Sequence, residues 1–441
     1  MTTIENMIAV CGPVDAGKSS LIGVLTSGEY DDGNGRARNK VLIHPHELES
    51  GRTSNITINP LIYKNIDGHI YMKSIPNCIR KKEIKERKLF KYTGNICKKL
   101  ISFIDLAGHE KYLKTTVFGV TGMFPDYGIV VIGANKGITR LTLEHMNILL
   151  NLNINMIIII TKIDMAPKDV YKKLKNKIKK LINRYYKNKT TFFINNDSTT
   201  NDYIAKFNGI KDIIPVISVS NKVGTNICNL HKILYNFPSI NKWKNKINGS
   251  IVYLDTNYNV PGIGIVVSGS IKGNMIDVKQ KMFIGPFNGK FKEVMIRSIH
   301  NSIRENVPSI MNNTQGCFAI KFCNMKEAVT REKLNKGLVM IDSIDKWKNN
   351  ITRKFLAKIN ILHHATTIKS GYTPVVHCGP VRQAATIKII DEEKFKHIRT
   401  GDKCIVEFTF VRHPEFIEEG MIIFFRDGNM KGVGKVISIK K

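Results

Sequence analysis

No apolar run in this chain is long enough to cross a bilayer; the longest candidate, MIIII at 156–160, has the length of a buried strand. The N-terminal MTTIENMIAV lacks a basic stretch followed by an apolar one, so a secretory signal is not expected. Cysteine comes without a pattern. The eight cysteines, at 11, 78, 97, 228, 317, 323, 378 and 404, include no CxxC pair, and a reduced, cytoplasmic protein without structural zinc is the simplest account. The twelve histidines are dispersed as well. Neither His44 with His46 nor His363 with His364 has a cysteine or carboxylate partner at a recurring ligand spacing. Acid is in short supply: 36 Asp and Glu stand against 68 Lys and Arg, leaving a net charge of +32. A field of that sign draws polyanions, RNA first among them. The chain is also rich in Lys, Asn and Ile, residues with AT-rich codons, so charge suggests nucleic acid without proving it.

At 441 residues, with 42% hydrophobic and 24% charged residues, the chain reads as a globular protein of two or three domains. Its first 240 residues alternate short apolar runs with amphipathic stretches: MIAVC (7–11), LISFI (100–104), GIVVIG (128–133), MIIII (156–160) and IIPVI (213–217). That alternation predicts βαβ units around a parallel sheet with helices on both faces. After Pro238 the texture changes. NKWKNKING (241–249) reads as a linker, and β-branched runs broken by glycine follow in two blocks. FFRDGN (424–429) carries a hairpin signal at Asp427, Gly428 and Asn429. The expected architecture is an α/β P-loop domain at 1–242 followed by two β-barrels, at 248–348 and 352–441. KDVYKKLKNKIKKLINRYYKNK (168–189) predicts a helix with Val170, Leu174, Ile178, Leu181 and Tyr185 on its apolar face. Its lysine face is either solvated or an RNA contact. IRKKEIKERKLFKY (79–92) reads as a basic loop.

The first run ends in GPVDAGKSS (12–20), where Gly12, Gly17, Lys18 and Ser19 satisfy GxxxxGK[ST] in strand–loop–helix context. Backbone amides along Asp15, Ala16, Gly17, Lys18, Ser19 and Ser20 would cradle phosphate oxygens. Lys18 would reach the β- and γ-phosphates, and the Ser19 hydroxyl would ligate Mg²⁺. FIDLAGHEKY (103–112) then acquires a partner: Asp105 at the strand end would hold Mg²⁺ through water. Gly108 would offer its amide to the γ-phosphate, and His109 would orient the attacking water. In TKID (161–164), Asp164 can accept two hydrogen bonds from guanine, which adenine does not offer, with the Lys162 stem over the base. Backbone amides near Ser220 and Asn221, in SVSNKVGTNI (218–227), would meet the guanine oxygen. HELESGRTSNIT (46–57) reads as a switch loop in which Thr53 is the Mg²⁺ ligand; a helix cap at Ser50, Thr53 or Ser54 is the bland alternative.

Together GPVDAGKSSLIGVLTSGEYDDGNGRAR, HELESGRTSNIT, FIDLAGHEKYLKTTVFGVTG and TKIDM resemble the translational GTPases of the elongation factor Tu and elongation factor 1-alpha superfamily. SGRTS, DLAGHEKYLKTT and TKIDM look most like its eukaryotic GTP-binding protein one/two branch. PGIGIVVSG (261–269) and FFRDGNMKGVGKV (424–436) resemble the second and third domains, so the likeness covers nearly the whole chain. The codon bias would suit a copy from a giant DNA virus or a protist. The resemblance implies a cytoplasmic monomer that binds GTP or GDP with Mg²⁺, takes tRNA, in the family aminoacyl-tRNA, to the ribosome, and hydrolyses GTP there. Neither a membrane nor DNA is expected as a partner. By the same resemblance, Asp15 matches the acid that helps hold a monovalent cation (K⁺ or Na⁺), with Gly51 and Thr53 matching the GxT of switch I and His109 the water-positioning histidine. Thr161 replaces the asparagine that braces the P-loop, Ala107 replaces a switch II proline, and Ala16 replaces a P-loop histidine. Two other readings share the fold. One is a ribosome-rescue or mRNA-turnover GTPase, against which the lack of a long N-terminal extension weighs. The other is the regulatory GTPase of sulfate activation, which the charge and the SGRTS and DLAGH segments disfavour.

Overall fold

In the computed structural model the described residues are 3–42, 45–51, 53–74, 86–91, 98–109, 112–186, 189–207, 212–240, 247–334, 337–362, 367–390, 396–427 and 429–440. His44, His363, His364, Gly428, linker residues 241–246 and most of the basic stretch 79–92 lie outside them. The chain divides into two compact units: 1–120 with 125–240, and 121–124 with 241–441.

The first unit runs β1 (Thr3–Cys11), α1 (Lys18–Ser27), α2 (Arg36–Asn39), α3 (Pro45–Ser50), β2 (Thr57–Ile66), β3 (His69–Ser74), β4 (Glu86–Lys91), β5 (Lys98–Asp105) and α4 (Leu113–Gly122). It continues with β6 (Tyr127–Gly133), α5 (Arg140–Asn151), β7 (Asn155–Thr161), α6 (Lys168–Tyr185), β8 (Thr190–Ile194), α7 (Asp197–Phe207), β9 (Ile213–Ser218) and α8 (Ile227–Tyr235). One nine-stranded sheet orders them β4-β3-β2-β5-β1-β6-β7-β9-β8. All five apolar runs become parallel strands, because residues buried on both faces leave no polar alternation. Three strands on one side, β2 to β4, are antiparallel. They lie outside the five apolar runs, although β3 alternates, with Ile70 and Met72 buried, and the Asp67-Gly68 turn joins β2 to β3.

Parallel order fixes where chemistry can occur. β1, β5 and β7 all end on one edge, in the P-loop, in Asp105–His109 and in Thr161–Asp164. The core beneath includes Ile8, Val10, Leu21, Phe103, Ile129, Val131, Ile157 and Ile159. On α6 the buried face is Leu174, Ile178 and Ile182, whereas Val170 is exposed and Leu181 only partly covered. The expected stripe thus holds at Leu174 and Ile178 and departs at its ends: Val170 lies exposed in the first turn, and Ile182 takes the buried place expected of Leu181. Lys168, Lys172, Lys173, Lys177, Lys179, Lys180 and Arg184 are exposed on the same helix.

Within the second unit, strands Lys281–Phe287, Val339–Ile341, Ser250–Val260, Gly264–Gly273, Gln315–Phe322 and Lys290–Asn301 pair in that order, and the last pairs back with the first. A second closed barrel is formed by Lys354–Ile361, Lys403–Phe410, Val381–Ile389, Val375–Cys378, Ile422–Asp427 and Asn429–Lys440. Closure removes the exposed edges that short strands would otherwise present. Ile251, Tyr253, Val339, Ile341, Trp347 and Phe416 form a shared apolar cluster, and Lys272 pairs with Glu418 at 2.6 Å. The two barrels are therefore one body.

Two buried histidines make the first unit sensitive to acid. The Tyr63 hydroxyl lies 2.8 Å from His231 Nδ1, and burial pulls the His231 pKa from 6.5 to about 3. His145 is pulled to about 3 by burial and by the nearby Lys18 charge. Both stay neutral in the folded state while the unfolded chain takes up protons near 6.5, so stability is full above about 6.5 and declines as pH falls toward 3. We predict that the thermal midpoint of the first unit falls on acidification below pH 6.5. A His231→Gln variant, which keeps an acceptor without a titrating ring, should show a shallower fall in the same melting series.

Candidate functional site

The P-loop reverses the chain between β1 and α1, and the reversal needs Gly17 at φ 85° as the residue before the helix. Its geometry is fixed by three contacts from later elements. His145 Nδ1 accepts from the Gly12 amide (3.1 Å), the Thr161 hydroxyl donates to the Ala16 carbonyl (2.5 Å), and the Lys18 ammonium donates to the Pro13 carbonyl (3.1 Å). Thr161 thus braces the P-loop, the duty its substitution for asparagine had put in question. His145 had no expected role. Its neutrality is required, because a protonated ring could not accept from Gly12.

Asp15, Gly17, Lys18, Ser19, Ser20, Gly51, Thr53, Gly108, His109 and Lys162 line one cleft. Asp105 lies just beneath it, fully buried. Ser19 Oγ stands 2.7 Å from Asp105 Oδ2 and 2.8 Å from Thr53 Oγ1, and Thr53 Oγ1 donates to the same carboxylate oxygen at 3.1 Å. Asp105 Oδ1 is buried without a hydrogen-bond partner. Burial raises the Asp105 pKa against the pull of Lys18, and burial lowers that of Lys18 against the pull of Asp105. Hydroxyl and carboxylate oxygens in one cluster, one of them orphaned, are the donor set of a hard divalent cation, so Mg²⁺ fits.

Thr53 reaches this cluster because Glu47, buried on α3, gathers the following turn. Its Oε1 accepts from the Ser54 amide (2.7 Å), the Ser54 hydroxyl (2.8 Å) and the Asn55 amide (3.2 Å). His46 bonds to Ser54 Oγ (2.8 Å), a structural contact. Gly108 closes against the P-loop: a Cβ there would overlap the Lys18 ammonium and lie 2.8 Å from the Gly12 carbonyl oxygen. Ala107 is buried, and its carbonyl accepts from the Thr116 hydroxyl (2.8 Å), so a hydrogen bond restrains this segment. His109 is exposed at the cleft, its ring edge-on to Tyr112 at 6.1 Å.

Ala16, Thr161, Asp164, Ser220 and Asn221 do not line the cleft. Ala16, Thr161, Ser220 and Asn221 are buried, whereas Asp164 is exposed after the end of β7. Ser220 donates its hydroxyl to Asp164 Oδ1 (2.6 Å), which aims the carboxylate, while its amide is taken by the Thr225 carbonyl (3.2 Å). Asn221 packs beside Gly17 and Thr161, and its carbonyl accepts from Asp31 (2.8 Å). Asp15 Oδ2 carries the Lys136 ammonium at 2.9 Å, so a K⁺ or Na⁺ there would compete with a resident cation. Asp31, Gly33, Gly35 and Arg38 also line the cleft. They stand in DDGNGRAR, outside every motif that carried a role.

A P-loop, an acid at the end of β5, a hydroxyl-bearing loop after α3 and a TKID at the end of β7 on one sheet edge define a P-loop nucleotide-binding domain of the GTPase class. The description "Elongation factor Tu GTP binding domain" matches residues 4–239, and the chain belongs to that family. It is 35% identical over 440 residues to GTP-binding protein 1 of Xenopus laevis, covering 99% of this chain and 64% of the relative. GTP-binding protein 2 of Homo sapiens is 31% identical over 453 residues, covering 99% of this chain and 70% of the relative. The chain therefore spans about two thirds of the length of these relatives. The structure of elongation factor SelB from Methanococcus maripaludis with the GTP analogue GppNHp matches with TM-score 0.66 and 18% identity. That match covers 100% of this chain and 80% of the other, and it is a likeness of fold.

Asp164→Asn should lower GTP affinity roughly a hundredfold, since two charge-assisted hydrogen bonds are at stake. It should raise affinity for xanthosine triphosphate, whose C2 carbonyl accepts from the new amide. Competition binding with the two nucleotides reads this out; an unchanged guanine preference contradicts the assignment of Asp164.

Proposed function

We propose that the protein is a GTPase of the elongation factor type, which binds GTP with Mg²⁺, carries tRNA to the ribosome and hydrolyses GTP on contact with it. The observation that carries the reading is the oxygen cluster of Ser19, Thr53 and Asp105 beneath Lys18, with Gly108 and His109 on the same cleft. The proposed boundaries of its parts are 1–242, 248–348 and 352–441, and the proposed location is the cytoplasm.

Lys18 and the P-loop amides hold the β- and γ-phosphates. Ser19 and Thr53 would hold Mg²⁺, with Asp105 behind them through water; the ion supplies positive charge to the phosphate oxygens. Thr53 and Gly108 are drawn toward the terminal phosphate, so the loops that carry them close further when it is present. His109 swings from its exposed position and orients a water in line with the γ-phosphorus. The water's oxygen forms the new bond as the β–γ bridging bond breaks, and GDP and phosphate leave. Catalysis is positioning and charge neutralisation without a covalent protein intermediate. For the cargo, the net charge of +32 and the exposed lysines of α6 support an RNA partner, and several relatives are named elongation factors.

GTP turnover is the test, measured with and without ribosomes and aminoacyl-tRNA. Stimulation by both is expected, with aminoacylated tRNA bound in preference to uncharged tRNA under a non-hydrolysable GTP analogue. Ribosome stimulation without that preference would favour the rescue or mRNA-turnover reading. His109→Ala should leave GTP affinity within about threefold and reduce stimulated turnover by roughly a hundredfold or more; undiminished turnover removes His109 from the mechanism.

A further inference from the structure

Arg38 lines the cleft together with Lys18, Ser19, Thr53, Gly108 and His109. It projects from α2, a single turn of helix whose other basic residues are differently employed: Arg36 and the following Lys40 both pair with Glu29. Arg38 has no such partner among the described residues. Its Nε is buried without a hydrogen bond. The other carboxylates of the cleft are committed elsewhere, Asp15 to Lys136 (2.9 Å) and Asp31 to the Ala37 amide (2.9 Å).

The guanidinium is nevertheless held in place. It lies in a slot between Gly35 and Gly51. A Cβ on Gly35 would come within 2.7 Å of Arg38 Cζ, and one on Gly51 within 2.9 Å. Both glycines have positive φ, 98° and 65°, so the slot is built from backbone that other residues would strain and fill. Arg38 is half-exposed: its Nε is shut off from solvent, and the rest of the charged fork is open to an anion in the cleft. The missing anion is thus expected from outside the protein, and the cleft's other residues are suited to polyphosphate.

We infer that Arg38 is a phosphate ligand supplied in cis, reaching the terminal phosphate of the bound triphosphate. The position of the slot argues for that phosphate: Gly51 stands two residues before Thr53, on the loop that the terminal phosphate is expected to order. A planar fork can bind two phosphoryl oxygens at once and neutralise charge that builds there during transfer. The same contact ties α2 to the switch loop only when the third phosphate is present. This inference rests on the GTPase reading above and adds a residue to it.

The test uses the full chain, GDP and a non-hydrolysable GTP analogue, with Arg38→Ala and Arg38→Gln. Arg38→Ala should weaken the analogue at least tenfold and GDP less than threefold, and turnover at saturating GTP should fall at least tenfold. Arg38→Gln keeps a stem in the slot and should behave alike, which carries the test if the alanine variant fails to fold. Equal losses for GDP and analogue would make Arg38 a merely structural residue, and no loss for either would leave it without a role; either result overturns the inference. Failure of the unaltered chain to bind either nucleotide would instead sink the GTPase reading itself.

Discussion

Ser19, Thr53 and Asp105 come from the start of α1, a loop after α3 and the end of β5, and their oxygens meet within 3.1 Å of one another. A carboxylate at 0% exposure with one orphaned oxygen is an unfavourable thing to bury. Its cost is tolerated only where something else completes it. The two hydroxyl protons of Ser19 and Thr53 hold the cluster together as it stands, both shared with Asp105 Oδ2, and a cation with phosphate would replace these bonds with stronger contacts. Thr53, brought to this carboxylate by the turn that Glu47 gathers, and Gly108, packed against Lys18, stand around that single constraint.

Around the cluster, buried polar groups also hold the backbone of the P-loop. His145 on Gly12, Thr161 on Ala16 and Lys18 on Pro13 come from α5, β7 and the loop's own helix. Each immobilises a carbonyl or an amide that would otherwise turn with the loop. Preorganised donors cost no reorganisation when phosphate arrives, which is the sense in which a rigid sheet edge serves chemistry. Glu47 does the same for the switch loop, with three bonds converging on one oxygen.

The parallel strands and the line of the cleft were legible because each rests on local pattern: doubly buried apolar runs, and motif residues at strand ends. Lys18, Ser19, Asp105 and Gly108 could be placed from spacing alone. His145 could not. It lies in an ordinary amphipathic helix, and only the packing of α5 beneath the P-loop gives its ring an acceptor's task. Arg38 was hidden differently, inside a polar, glycine-rich stretch where basic residues are usually solvated; the slot between Gly35 and Gly51 exists only after folding. The antiparallel strands β2 to β4 lie outside the continuous apolar runs; β3 shows instead the alternation of a strand buried on one face, through Ile70 and Met72, after the Asp67-Gly68 turn. On α6 the stripe was right at Leu174 and Ile178 and one residue off near its far end, where Ile182 rather than Leu181 is buried, since period alone does not say where the contact starts and stops.

The cation dependence of nucleotide binding tests the oxygen cluster most directly. The affinity for a non-hydrolysable GTP analogue, titrated with Mg²⁺ present and with Mg²⁺ removed by chelation, should differ by roughly a hundredfold or more in the unaltered chain. In Ser19→Ala most of that difference should disappear. Equal affinity in both conditions, or a Ser19→Ala variant that keeps the full difference, would contradict the assignment of these three residues to a cation and its nucleotide.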